Sequence, residues 1–179
     1  MSASIPQIPE TAHRLCAASP ALGERLHASC ASWEGLGVLL TGASGCGKSS
    51  LLLRLIDAGF TLVGDDQVLL QQVTARPAPA LAGLVEARGL GIVQMPYLPE
   101  APIALRIDLT RNAPIMRLPD KTIDPRTGAW CLKLDAFHAD SVAIIRTALR
   151  CIRGDLTLLC GVNGGMATAN PLPNKREES

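Results

Sequence analysis

Aromatic side chains are scarce in this sequence. Trp33, Phe60, Tyr97, Trp130 and Phe137 make up 3% of the 179 residues and are spread along the chain. That excludes a platform of interleaved aromatics for stacking nucleic-acid bases and demands an aliphatic core. An excess of one charge sign is lacking as well. Lys+Arg 17 against Asp+Glu 16 leave a net charge of +1, which removes the overall electrostatic case for a nucleic acid or an anionic membrane as partner. No apolar run approaches the roughly 20 residues of a membrane span. Met1 to Pro20 has no basic segment followed by an apolar run, as a secretory signal would have. The 6 cysteines (Cys16, Cys30, Cys46, Cys131, Cys151, Cys160) contain no C-x-x-C pair and no zinc-type spacing. Reduced, mostly buried thiols and a cytoplasmic location are the expectation.

What is present is apolar: hydrophobic residues make up 47% and charged residues 18%, a composition that folds. A chain of this length holds one domain of ordinary size. We expect that domain over residues 1–169, with a loose lead-in over the first dozen residues and a flexible, proline- and charge-containing tail over 170–179. No internal repeat and no low-complexity block interrupts it.

Short β-type runs dominate the interior. Arg25–Trp33 and Leu36–Thr41 flank the turn signal Glu34-Gly35. Lys48–Ala58 reads as a helix with Leu51, Leu52, Leu55 and Ile56 on one face and Gly59 as its stop. Phe60–Val63 reads as a buried strand running into Asp65-Asp66. Val68–Val73, Gly83–Ala87, Gly91–Met95 and Ala104–Leu109 are further strands, separated by glycine and proline. Residues 110–133, broken by Pro114, Pro119 and Pro125, carry no clear pattern. Asp135–Arg153 places Val142, Ile145, Leu149 and Ile152 at helical spacing and is expected to be a second long helix. The order strand, loop, helix, strand and then many strands predicts an α/β fold with a mixed sheet.

The strongest motif is Gly42-Ala43-Ser44-Gly45-Cys46-Gly47-Lys48-Ser49, a full G-x-x-x-x-G-K-S phosphate loop between an apolar run and a leucine-rich helix. Glycines let the backbone wrap phosphate oxygens with its N–H groups, and the positive end of the next helix adds fixed charge. Lys48 supplies a cation for the outer phosphates of ATP, and the Ser49 hydroxyl is placed to ligate Mg²⁺. Cys46 occupies a variable loop position and reads as a small filler.

Asp65 and Asp66 end an apolar strand, where an acidic residue faces the metal across a phosphate loop. If one of the pair holds the metal or its water, the other can serve as general base. Asp is also common in an ordinary turn after a strand. Glu86 interrupts a strand-like segment, either as a metal-facing carboxylate or on a solvated face, and Arg88 could pair with it or meet phosphate. His27 stands alone in the strand before the loop, where a packed or half-exposed role is the ordinary one.

In this order the motifs resemble bacterial HPr kinase/phosphorylase, specifically its C-terminal catalytic domain. The resemblance rests on Gly42–Ser49, then Leu62-Val63-Gly64-Asp65-Asp66, then Glu86-Ala87-Arg88-Gly89-Leu90-Gly91-Ile92, with His27 ahead of the loop, and spans about residues 24 to 110. It implies a phosphate-loop fold of the HPr kinase/carboxykinase type and an ATP- and Mg²⁺-dependent protein serine kinase acting on an HPr-like phosphocarrier. By resemblance Asp65 is the base, His27 supports it, Lys48 is catalytic, residues 42–49 bind nucleotide, and Ser49, Asp66 and Glu86 surround the metal. A homo-oligomer, hexameric in long family members, is also implied. The loop begins at residue 42, similar to the short α-proteobacterial form without an N-terminal domain. Ala43 and Ser50 stand where many members carry acidic residues. No P-G-R-N segment is found, Arg126 in Asp124-Pro125-Arg126-Thr127-Gly128 being the nearest basic candidate, so kinase activity is better supported than phosphorylase activity. A small-molecule kinase and a nucleotide-gated regulatory protein without catalysis are the competing readings.

Overall fold

The run Gly37–Leu40 carries no polar side chain, and it forms the middle of a strand buried on both faces. The computed structural model describes residues 23–112 and 114–164; the lead-in, the tail 170–179 and Cys16 lie outside them. In chain order the elements are β1 (Glu24–Leu26), β2 (Ser29–Trp33), β3 (Leu36–Thr41), α1 (Lys48–Asp57), β4 (Thr61–Gly64), β5 (Val68–Gln71), β6 (Thr74–Pro77), β7 (Leu84–Ala87), β8 (Gly91–Gln94), β9 (Ala101–Leu109), β10 (Trp130–Leu134) and α2 (Ser141–Arg153).

The mixed sheet expected from the sequence is present. Among the described residues it runs in the order β1-β5-β6-β9-β3-β2-β4, with β10 also alongside β9. β3 pairs parallel to β9, and β9 parallel to β10, while the other pairings are antiparallel. β7 and β8 form a separate hairpin. Strand alternation divides the apolar residues between two clusters. Val38, Leu40, Leu105 and Ile107 face Leu51, Leu52 and Leu55 of α1 and Ile145 and Leu149 of α2. Leu39 and Cys30 face the other way, against Val63, Val68 and Leu70. Burial in that second cluster pushes the Cys30 thiol up to about 12.

Four expectations need correction. The run expected as one strand over Arg25–Trp33 breaks at His27, because β1 pairs with β5 whereas β2 pairs with β3 and β4. Val68–Val73 is not one strand either. It folds back at Gln72-Val73 into the β5–β6 hairpin, with Gln72 at φ 54°. β10 forms inside the stretch that showed no pattern, recruited by the free edge of β9. The second helix starts at Ser141 rather than Asp135. The Asp135 carboxylate accepts the backbone N–H of Phe137 at 2.9 Å and of Asn112 at 3.2 Å, and Ser141 Oγ donates to the Asp135 carbonyl at 2.6 Å. These bonds hold residues 135–140 in turns.

The first helix stops where expected. Gly59 adopts φ 91°, its N–H reaches the Ile56 carbonyl at 2.9 Å, and that of Phe60 reaches Leu55 at 3.0 Å. Cys30, Cys46, Cys131, Cys151 and Cys160 carry free thiols. No helix among the described residues is long and apolar enough to cross a membrane.

Candidate active site

The phosphate loop joins the end of β3 to the start of α1, so its backbone N–H groups gather at a helix N-terminus. Gly47 caps that helix at φ 97°, with no side-chain cap to occupy the first N–H groups. Its lack of a Cβ is also steric: a Cβ would lie 2.7 Å from that of Ala136 and 3.0 Å from Cζ of Phe137. Lys48 is buried, its ammonium donating to the carbonyls of Gly42 at 3.0 Å and Ala43 at 3.1 Å. A cation is thereby fixed on the loop and satisfied by it. The Cys46 side chain is buried beneath the loop, the filler place expected of it.

Facing the loop is a cavity of about 330 Å³ lined by Ser44, Gly45, Gly47, Lys48 and Ser49 on one side and by His27, Asp66, Glu86 and Arg88 on the other. The β1–β2 junction delivers His27, the end of β4 delivers Asp66, and the β7–β8 hairpin delivers Glu86 and Arg88. Asp65 and Asp66, though adjacent, do different things. Asp65 is 3% exposed and its Oδ1 accepts the hydroxyls of Ser29 at 2.6 Å and Ser49 at 3.0 Å. Asp66 turns outward at φ 63°, with its side chain 60% exposed and lining the cavity.

His27 was expected beside Asp65; it is found beside Asp66. Its Nδ1 lies 3.1 Å from Asp66 Oδ1 and 3.2 Å from the Asp66 carbonyl oxygen. Both neighbours are acceptors, which assigns the proton to Nδ1. The strand break at His27 is what brings the imidazole here.

Residues 20–98 match the family model described as the HPr serine kinase C-terminal domain. Over that segment, less than half of its length, the chain is similar to the HPr serine kinase C-terminal domain. The chain is 42% identical over 99 residues to HPr kinase/phosphorylase of Lacticaseibacillus casei (strain BL23), covering 50% of this chain and 30% of that protein. Against the HPr kinase/phosphorylase of Burkholderia cenocepacia (strain HI2424) it is 40% identical over 92 residues, covering 48% and 29%. The chain thus spans less than a third of the length of these curated relatives. The fold is shared with the solved Hpr(Ser) kinase/phosphatase of Coxiella burnetii at a TM-score of 0.62 and 25% identity, over 74% of this chain and 92% of that one.

The site also holds residues that sequence patterning passed over. Ser29 reads as part of an apolar strand, yet its hydroxyl is one of two on Asp65. Phe137 lies beyond the matched segment and completes the cavity wall. A charged network reaches the loop from behind. Thr41, the residue before Gly42, donates to Asp108; Arg106 lies 3.0 Å from Asp108 and 3.5 Å from the buried Asp124. Burial raises the Asp124 carboxyl, but the Arg126 backbone N–H and the Arg106 charge outweigh it, so it sits below the usual carboxylate range.

Oxygen donors are what Mg²⁺ takes. Ser49, Asp65, Asp66 and Glu86 supply them, but among the described residues no three acidic, His or Cys side chains converge into a ready-made metal cage. That fits an ion held by one or two protein oxygens together with substrate phosphates.

Proposed function

We propose that this protein is a Mg²⁺- and ATP-dependent kinase that phosphorylates a serine of an HPr-like phosphocarrier. The observation that carries the reading is an exposed carboxylate, Asp66, facing the Lys48–Ser49 phosphate loop across one cavity with His27 against it. Loop amides and Lys48 hold the outer phosphates. Ser49 and Glu86 would hold Mg²⁺, which when bound would offset the negative charge of the phosphates. Asp65 accepts the Ser49 O–H, leaving that oxygen's lone pairs to face the metal. Asp66 takes the proton of the incoming serine hydroxyl, and His27 Nδ1–H orients the carboxylate.

This reading moves the base from Asp65 to Asp66 and withdraws Asp66 from the metal set. The carboxylate of a residue that is 3% exposed, already accepting two hydroxyls, has no path to a protein substrate. The test is transfer from γ-labelled Mg-ATP to a purified HPr-like carrier by wild type, Asp66→Asn and Asp65→Asn. Label should reach a carrier serine and fall about 10²–10⁴-fold in Asp66→Asn. Asp65→Asn keeps an acceptor for both hydroxyls and should lose less. The reverse ranking would return the base to Asp65. Mg-ATP binding without transfer by wild type would favour a nucleotide-gated regulatory protein.

A further inference from the structure

We infer that Phe137 is the shelf on which the nucleobase of the bound nucleotide stacks, an inference that rests on the nucleotide-binding reading above. Of the Phe, Tyr and Trp side chains, Phe137 alone lines the phosphate-loop cavity. Trp33 and Phe60 stack on each other at 6.3 Å between centroids, each with an arginine over its ring, and Trp130 lines a separate apolar groove. Phe137 is 53% exposed, a costly place for a phenyl ring in a chain with so few.

Its position is fixed from several sides. The ring edge lies against Gly47, where a Cβ would meet it at 3.0 Å. The Arg111 guanidinium lies over the ring, 5.0 Å from its centroid. The Asp135 carboxylate binds the N–H of Phe137 and, through Asn112, the turn that carries Arg111. Arg54 of α1 donates to the neighbouring Ala136 carbonyl. A ring held this way has little left to lose in entropy on binding. The phosphates of a nucleotide sit on the amides at the start of α1, and Gly47 belongs both to that cradle and to the contact with the ring. Base and phosphate sites are therefore contiguous. Stacking on a phenyl face is tolerant of base identity because every base presents a π-face.

The experiment compares binding of Mg-ATP and of magnesium tripolyphosphate, which has the phosphates without the base, to the full chain. The variants are Phe137→Leu, which keeps apolar bulk, and Phe137→Trp, which keeps an aromatic face. Loss of one base–aromatic contact corresponds to about 5- to 150-fold in affinity. Phe137→Leu should weaken ATP binding in that range, leave tripolyphosphate within about twofold, and be answered by near-wild-type ATP affinity in Phe137→Trp. Equal weakening of both ligands would overturn the inference by making Phe137 a prop for the loop, and unchanged ATP binding would overturn it directly. Wild type that binds neither ligand would overturn the nucleotide reading itself, a failure seen before any variant is compared.

Discussion

The stretch from β1 to β8 and the stretch from β9 to residue 164 are built on different principles. In the first, ligand chemistry dictates the residues. Gly47 must lack a side chain, Lys48 must be a cation folded back on its loop, and adjacent aspartates are split between the interior and the cavity. In the second, packing and charge neutralisation dictate them. Ile145 and Leu149 fill the space over β3 and β9, and Asp124 is buried because Arg106 and the Arg126 backbone satisfy it. Chemistry admits few alternatives at a position, whereas a core accepts many sequences of similar volume. At the phosphate loop the two stretches meet through Thr41 with Asp108, Gly42 with Leu109, and Gly47 with Ala136 and Phe137.

That difference accounts for what could be read from the sequence. The phosphate loop, the helix after it and the Asp-Asp pair were legible because motif and local propensity agree there. The mixed sheet was legible from element order. What failed depended on partners distant in sequence. His27 sits in a strand-like run, and only the change of partner from β5 to β3 and β4 breaks it and aims the imidazole at Asp66. The Gln72-Val73 turn has neither glycine nor proline to announce it. β10 exists because β9 offers a free edge, and its own residues, Trp130–Leu134, follow a stretch broken by prolines. Asp65 and Asp66 are indistinguishable as letters; burial and the two hydroxyls on Asp65 separate them.

The largest expected effect that sharpens the contrast is on stability. Leu149→Ala removes a fully buried side chain from the core between α2 and the sheet and should cost about 2–5 kcal/mol in urea unfolding. Mg-ATP affinity of the folded fraction should stay at the wild-type value. A large loss of affinity would break the comparison by tying the α2 core to the loop.

Asp124→Asn is expected to be milder, about 1–3 kcal/mol, because Arg106 keeps Asp108 when Asp124 is neutralised. The pH dependence has a defined sign. The folded carboxyl is held below its ordinary value, so its contribution is complete above about pH 4 and is lost as pH falls through the depressed folded value. The wild-type advantage over Asp124→Asn in urea midpoint should therefore be flat from about pH 7 to 5 and shrink below about pH 4. An advantage that persists in full at pH 3 would show that the ionised carboxylate is not its source.

The smallest effect tests the finest point of the site, the division of labour between His27 and Asp66. Both side chains are more than half exposed, 52% and 60%, so the hydrogen bond between them is screened and weak. If His27 only orients the base, His27→Ala should slow transfer by about 2- to 10-fold, the range of one ordinary hydrogen bond. His27→Gln, which retains a side-chain donor, should recover part of that loss. KM for ATP should not move, because the imidazole touches the carboxylate and not the loop. A loss in His27→Ala as deep as that in Asp66→Asn, without rescue by glutamine, would mean that the imidazole itself carries the proton. The chemistry would then belong to a residue that the strand break, and not the Asp-Asp motif, puts in place.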